Sequence, residues 1–163
     1  MMYNTISLLV ENHQGVLSRI SGLFSGRGYN LESFTSGPTT DPTLTRITLV
    51  CSGDDSVIDQ IKKQLNKLID IIKVVDLTDL PSVDRELALL KVSAKPAQRS
   101  ELFQIAEVFN AKIMDLGYDT VMLEITGAPE KIQDMMELLG EYSIVEMARS
   151  GLVSLERGKK IKR

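Results

Sequence analysis

The stretch Leu8-Leu9-Val10-Glu11-Asn12-His13-Gln14-Gly15-Val16-Leu17-Ser18-Arg19-Ile20 decides the fold. It completes an alternation in which Ile6, Leu8 and Val10 face one way and Thr5 and Ser7 the other, the period of a strand buried on one side. Polar residues and Gly15 follow. Val16, Leu17, Ile20, Leu23 and Phe24 then fall on one apolar helix stripe. A strand therefore runs through a short polar turn straight into a helix. Gly26 and Gly28 stand where that helix stops, since glycine ends helices at little steric cost.

Further along, Tyr29 to Ser36 predicts a second strand, and Gly37 to Pro42, with two prolines, a loop. Thr43 to Cys51 is a β-branched strand with Ile47, Leu49 and Cys51 on one face. Gly53-Asp54-Asp55-Ser56 opens a helix with the stripe Val57, Ile58, Ile61, Leu65 and Leu68, and Ile71 to Leu77 is the fourth strand. The order is βαββαβ. After a linker at Thr78 to Asp84, broken by Pro81, the order repeats. Leu87 to Ser93 is a strand, and a helix opens at Pro96 with the stripe Leu102, Ile105, Ala106 and Phe109. Strands follow at Lys112 to Leu116 and Thr120 to Thr126. A helix starting at Pro129 buries Ile132, Met135, Met136 and Leu139, and Ser143 to Ala148 is the last strand. The expected fold is α+β: two ferredoxin-like βαββαβ domains, residues 1–79 and 80–163, each an antiparallel sheet with its helices on one face. Such sheets leave one face and two edges open. Leu87, Ala88, Leu89, Leu90 and Val92 are apolar on both faces, which predicts that both are covered and that the chain pairs with a second copy.

Composition narrows the function. A net charge of −3 offers no positive field for nucleic acid. No aromatic residue lies within Thr5 to Val10 or Thr43 to Cys51, the two strands on which an RNA-binding sheet would stack bases. The turn Glu11 to Gly15 holds no Arg or Lys, so it is no phosphate cradle of an acylphosphatase-like hydrolase. Cys51 is the only cysteine, a weak sign of a reducing compartment, and it ends an apolar strand face, so it reads as core rather than nucleophile. His13 is the only histidine. A zinc site needs several ligands and Cys51 is remote, so no metal site and no catalytic residue is expected. The run Ile6 to Val10 is too short for a signal peptide or membrane span, and a cytoplasmic protein is expected.

The turn has other chemistry. The first N–H groups of a helix lack intrahelical partners and carry partial positive charge, so they hold a carboxylate. Gly15 lets a ligand approach the backbone, Asn12 both donates and accepts, and Val16 and Leu17 suit an apolar side chain. Any strand-to-helix turn uses a glycine and a polar cap. What makes this one specific is the expectation that Asn30, opening the second strand, returns to the same end of the helix.

Glu11-Asn12-x-x-Gly15-Val16-Leu17-Ser18-Arg19-Ile20, followed by Gly22-Leu23-Phe24-Ser25-x-Arg27-Gly28-Tyr29-Asn30-Leu31-Glu32-Ser33, resembles the ACT domain of acetolactate synthase small subunits. The loop Pro38-Thr39-Thr40-Asp41-Pro42-Thr43-Leu44-Thr45-Arg46 and the late Glu146-Met147-Ala148-Arg149-Ser150-Gly151 extend the likeness over nearly the whole chain. The resemblance implies a non-catalytic regulatory subunit in branched-chain amino acid biosynthesis. Its effector would be valine, with leucine or isoleucine as alternatives, bound where two ACT domains meet. Asn12, Gly15 and Asn30 carry over directly as effector-binding residues, and Val16, Leu17, Ser18 and Leu31 as their neighbours. It also implies a large catalytic partner that carries thiamine diphosphate, magnesium and FAD, none of them on this chain. A free-standing ACT sensor for another pathway is the competing expectation. The basic tail Arg157 to Arg163 is either a solvated end or a dock for an acidic patch of the catalytic subunit.

Overall fold

The computed structural model describes residues 3–158. The chain divides into two compact units: one runs up to Val83 and resumes at Leu152, and the other is Asp84–Gly151.

The first unit opens with β1 (Tyr3–Glu11), α1 (Val16–Arg27), β2 (Asn30–Pro38), β3 (Leu44–Ser52), α2 (Asp55–Leu65) and β4 (Ile71–Asp76). Its sheet has the order β2-β3-β1-β4, all neighbours antiparallel. The alternation read from the sequence sets the layers. Ile6, Leu8, Val10, Ile47, Leu49 and Cys51 are buried on one face, packed against Val16, Ile20 and Phe24 of α1 and Ile58, Ile61 and Leu65 of α2. Asp54 caps α2, its carboxylate accepting from the Val57 N–H at 2.9 Å. Gly28, at φ 66°, ends α1 by donating its N–H back to the last turn.

The second unit repeats the plan. It contains most of β5 (Ser82–Ser93), then α3 (Arg99–Val108), β6 (Lys112–Leu116), β7 (Thr120–Gly127), α4 (Pro129–Leu138) and β8 (Ile144–Arg149), in the sheet order β6-β7-β5-β8. Pro96 opens a single 3-10 turn, and the α-helix proper starts at Arg99. Ala88, Leu90, Val92, Val121, Leu123 and Ile125 are sealed against Leu102, Ala106, Ile132 and Met135. Glu86 is buried and forms a two-bond fork with Arg149 at 2.7 and 2.5 Å, which satisfies its charge.

Two expectations change, the start of β5 and the course of the chain after Gly151. β5 begins at Ser82, inside the expected linker. Among the described residues its second face stays partly open: Leu87 is 36% exposed and Leu89 half-buried, beside an ion pair of Lys91 with Glu146. And the chain after Gly151 does not stay with the second unit. Gly151, at φ 81°, turns the backbone into a further strand, β9 (Val153–Glu156). The Leu152 N–H donates to the Ser33 hydroxyl at 3.2 Å, and the Arg157 N–H to the Pro81 carbonyl at 2.7 Å. Ser154 is 1% exposed, and Ser7 and Thr48, on the helix-free face of the first sheet, are 3% each. Four residues after a Ser-Gly turn are too short to show a strand period, so the sequence did not reveal β9. Of the basic tail, Lys159 to Arg163 lie outside the described residues.

Replacing Leu90, fully buried in the second core, with Ala is expected to cost about 2–5 kcal/mol of stability, measured by urea unfolding. A loss below about 1 kcal/mol contradicts this packing.

Candidate functional site

β1 delivers the turn. At its end the Asn12 N–H donates to the Thr43 carbonyl at 2.7 Å and the Asn12 amide to the Pro42 carbonyl at 2.9 Å, which pins the turn to the start of β3. Gly15 caps α1 at φ 86°, a left-handed conformation that L side chains rarely adopt, and an added Cβ would stand 3.1 Å from the Arg19 guanidinium. No acidic side chain occupies the first turn of α1, so its free N–H groups stay available. Beside them lies a cleft of about 300 Å³, at the small end of the range for ligand sites, lined by Val10, Glu11, Asn12, His13, Val16, Leu17, Ser36, Gly37, Pro38 and Thr45. Its lining mixes apolar Val10, Val16, Leu17 and Pro38 with polar Glu11, Asn12, His13, Ser36 and Thr45.

Of the residues expected at the site, Asn12, Val16 and Leu17 line this cleft and Gly15 caps the helix that forms it. Val16 is buried, whereas Leu17 is 44% exposed. Ser18 is exposed on α1 and does not line the cleft. Asn30 and Leu31 do not return to this end. Asn30 pairs with Ser52 and Ser52 with Tyr3, so both stand at the opposite end of the sheet, about 18 Å away along the 12 residues of α1. The Asn30 amide there donates to Ser52 Oγ at 2.8 Å and to Glu32. The strand reverses direction after α1, so its start lies at the helix C-terminus. The end of β2 that does reach the turn is Ser36-Gly37-Pro38, which the sequence had assigned to strand end and loop.

A charged cluster braces the turn. The Asp70 carboxylate, from the α2–β4 connection, is 6% exposed. It meets Arg19 Nε at 2.6 Å and His13 Nε2 at 3.0 Å, and Glu11 approaches His13 Nε2 at 3.2 Å. The Arg19 guanidinium holds the Asp70 carboxyl below the usual carboxylate range. The Gln14 carbonyl, joined by the Asp70 and Glu11 carboxylates, raises His13 above its ordinary value against a smaller lowering by desolvation. Glu11, His13 and Asp70 thus offer three ligand atoms within 4.8 Å of one another. This convergence escaped the sequence reading because Asp70 arrives from a distant loop. Cys51 pairs with Asn4 at the far end of β1, remote from His13, and burial pushes its thiol up to about 12.

These features define the class: a tandem of two βαββαβ units, the first of ACT type. The model for the AHAS small subunit-like ACT domain matches residues 6–73, and that for the small subunit of acetolactate synthase matches residues 85–158. A probable acetolactate synthase small subunit of Archaeoglobus fulgidus is 46% identical over 159 residues, covering 98% of this chain and 99% of the relative. The acetolactate synthase small subunit of Mycolicibacterium smegmatis is 44% identical over 155 residues, covering 95% and 91%. The crystal structure of the Thermotoga maritima acetolactate synthase small subunit superposes with a TM-score of 0.89 at 37% identity, covering 98% of this chain and all of that one. The chain belongs to the acetolactate synthase small-subunit family: it is a regulatory, non-catalytic subunit of the thiamine-dependent enzyme and associates with its large subunit. Among the described residues no helix is long and apolar enough to cross a membrane.

Cys51 is expected to resist a disulfide reagent such as dithionitrobenzoate at about pH 8 in the folded protein and to react fully in denaturant, because its burial disfavours the thiolate. Rapid reaction of the native thiol contradicts its placement in the core.

Proposed function

We propose that the cleft beside Gly15 binds a branched-chain amino acid, valine first, and that its occupancy lowers the activity of the large catalytic subunit, which this chain otherwise activates. The observation that carries the reading is the free N-terminus of α1 beside a small cleft lined in part by Val10, Val16 and Leu17. The N–H groups receive the carboxylate, Asn12 serves the polar end of the ligand, and Val10, Val16 and Leu17 flank its side chain. Thiamine diphosphate, magnesium and FAD then act on the catalytic subunit. The mechanism is linkage: valine binds one state of the complex better than the other, with a typical coupling of about 1–3 kcal/mol.

The position of Asn30 supports a site shared between two copies. β2 is an edge strand of the first sheet, with Asn30 at one end and Pro38, on the cleft wall, at the other. Two copies related by a two-fold axis and joined antiparallel along β2 bring the Asn30 and Leu31 of each beside the cleft of the other. The homodimer through the ACT domains then closes the β2 edge of each first sheet and completes two sites. A free-standing amino-acid sensor for another pathway is disfavoured, because the second unit matches the small-subunit model over residues 85–158.

Gly15→Asp is expected to abolish valine binding in calorimetry and valine inhibition of acetolactate formation, while activation of the large subunit persists. Asn30→Ala is expected to weaken valine about 5–150-fold, for a cost of about 1–3 kcal/mol. Mixing the two variants with subunit exchange regenerates one intact site per heterodimer, so wild-type affinity returns at reduced stoichiometry. If the mixture binds no better than its parts, the shared site is wrong. Full valine sensitivity in Gly15→Asp removes the cleft altogether.

A further inference from the structure

The cluster at the mouth of the cleft contains a conflict of hydrogen-bonding groups. Both nitrogens of His13 face only acceptors. Nδ1 is 3.1 Å from the Gln14 carbonyl, and Nε2 is 3.0 Å from Asp70 Oδ1 and 3.2 Å from Glu11 Oε2. A neutral imidazole has one N–H. If Nδ1 donates to Gln14, the Nε2 lone pair points at two carboxylate oxygens. A cation at that point turns the repulsion into attraction.

We propose that Glu11 Oε2, His13 Nε2 and Asp70 Oδ1 bind a divalent metal ion of the zinc class at the mouth of the cleft. Ligand bonds of about 2.0–2.2 Å around a tetrahedral or octahedral ion put neighbouring donor atoms about 3.0–3.5 Å apart. The two separations from Nε2 already lie in that range. The Nδ1–H held by a backbone carbonyl is the arrangement that orients a histidine for metal binding through its other nitrogen. Asp70 is fixed from behind: its Oδ2 is taken by Arg19 Nε at 2.6 Å, which leaves Oδ1 for the ion. Glu11 and His13 are about half exposed, with side-chain exposures of 54% and 47%, so the ion reaches the site and water completes its shell. Two carboxylates and one guanidinium leave the cluster at −1, and a divalent ion reverses that sign beside a cleft proposed to hold a carboxylate. A protonated His13 relieves the same conflict, but through one N–H divided between two oxygens. Coordination engages all three donor atoms at once.

The chain suits a clean test, because His13 is its only histidine and Cys51 is buried. Full-length protein without a histidine tag is titrated with zinc ions by calorimetry, with no amino acid present, so the outcome does not depend on the valine reading. Cobalt ions report the ligand field by absorption. One ion per chain is expected, binding more tightly at about pH 8 than at about pH 6 because the ion displaces a proton from His13. His13→Gln and Glu11→Gln are each expected to weaken binding at least about tenfold, with unchanged circular dichroism. Three results overturn the site: no saturable binding, binding retained in His13→Gln, or a His13 that titrates with protons and never with metal.

Discussion

A carboxylate with 6% of its side chain exposed is costly unless its charge is met, and the first unit meets that of Asp70 with Arg19. The bond joins the loop before β4 to the first turns of α1, while the Asp70 carbonyl receives the Glu11 N–H at 2.9 Å. One residue therefore holds both sides of the β1–α1 turn, the end of β1 by its backbone and α1 by its side chain. Gly15 can stay left-handed and uncapped by any side chain because the elements on either side are fixed from outside the turn. Without that brace, the free N–H groups of α1 would point wherever a short polar loop allowed.

A βαββαβ unit has a built-in polarity that bears on ligand binding. The turn from β1 to α1 lies at one end of the sheet, and the turn from α1 to β2 necessarily lies at the other. Residues flanking α1 in sequence, such as Asn12 and Asn30, are thus separated by the length of the helix. Of β2 and β3, only the far end of β2 and the start of β3 reach the cleft, through Ser36, Gly37, Pro38 and Thr45. For Asn30 to act on the same ligand, a second copy has to supply it, and the edge position of β2 makes that pairing open to the fold.

Period and punctuation made most of the fold legible. Strands with clean alternation, such as Ile6–Leu8–Val10 and Ile47–Leu49–Cys51, kept their faces, and glycine or proline marked α1 and α4. The missed elements had no such signal: β9 is four residues long, and the first part of β5, Ser82 to Arg85, is polar or exposed. At the site, local sequence reported what the turn itself holds, namely Asn12, Gly15, Val16 and Leu17. It did not report what is brought to the turn through space. Asp70 sits in a connection with no motif of its own, and its partners His13 and Arg19 lie 57 and 51 residues earlier. Asn30 shows the opposite case: it is close to the turn in the motif, yet α1 carries it to the far end of the sheet.

The return of the chain to the first unit also changes how the two halves can be coupled. A single linker at Val83–Asp84 would be one covalent tie. The passage at Gly151–Leu152 supplies a second, and it ends on the first sheet itself, where the Leu152 N–H meets Ser33 on β2. β2 is the strand whose far end, Ser36 to Pro38, lines the cleft. Ser33 thus ties β2 by one hydrogen bond to the chain three residues after β8 ends at Arg149. Energetic coupling needs an element with two arrangements that both sites bias. Here β2 is the element in contact with the cleft at one point and with the returning chain at another.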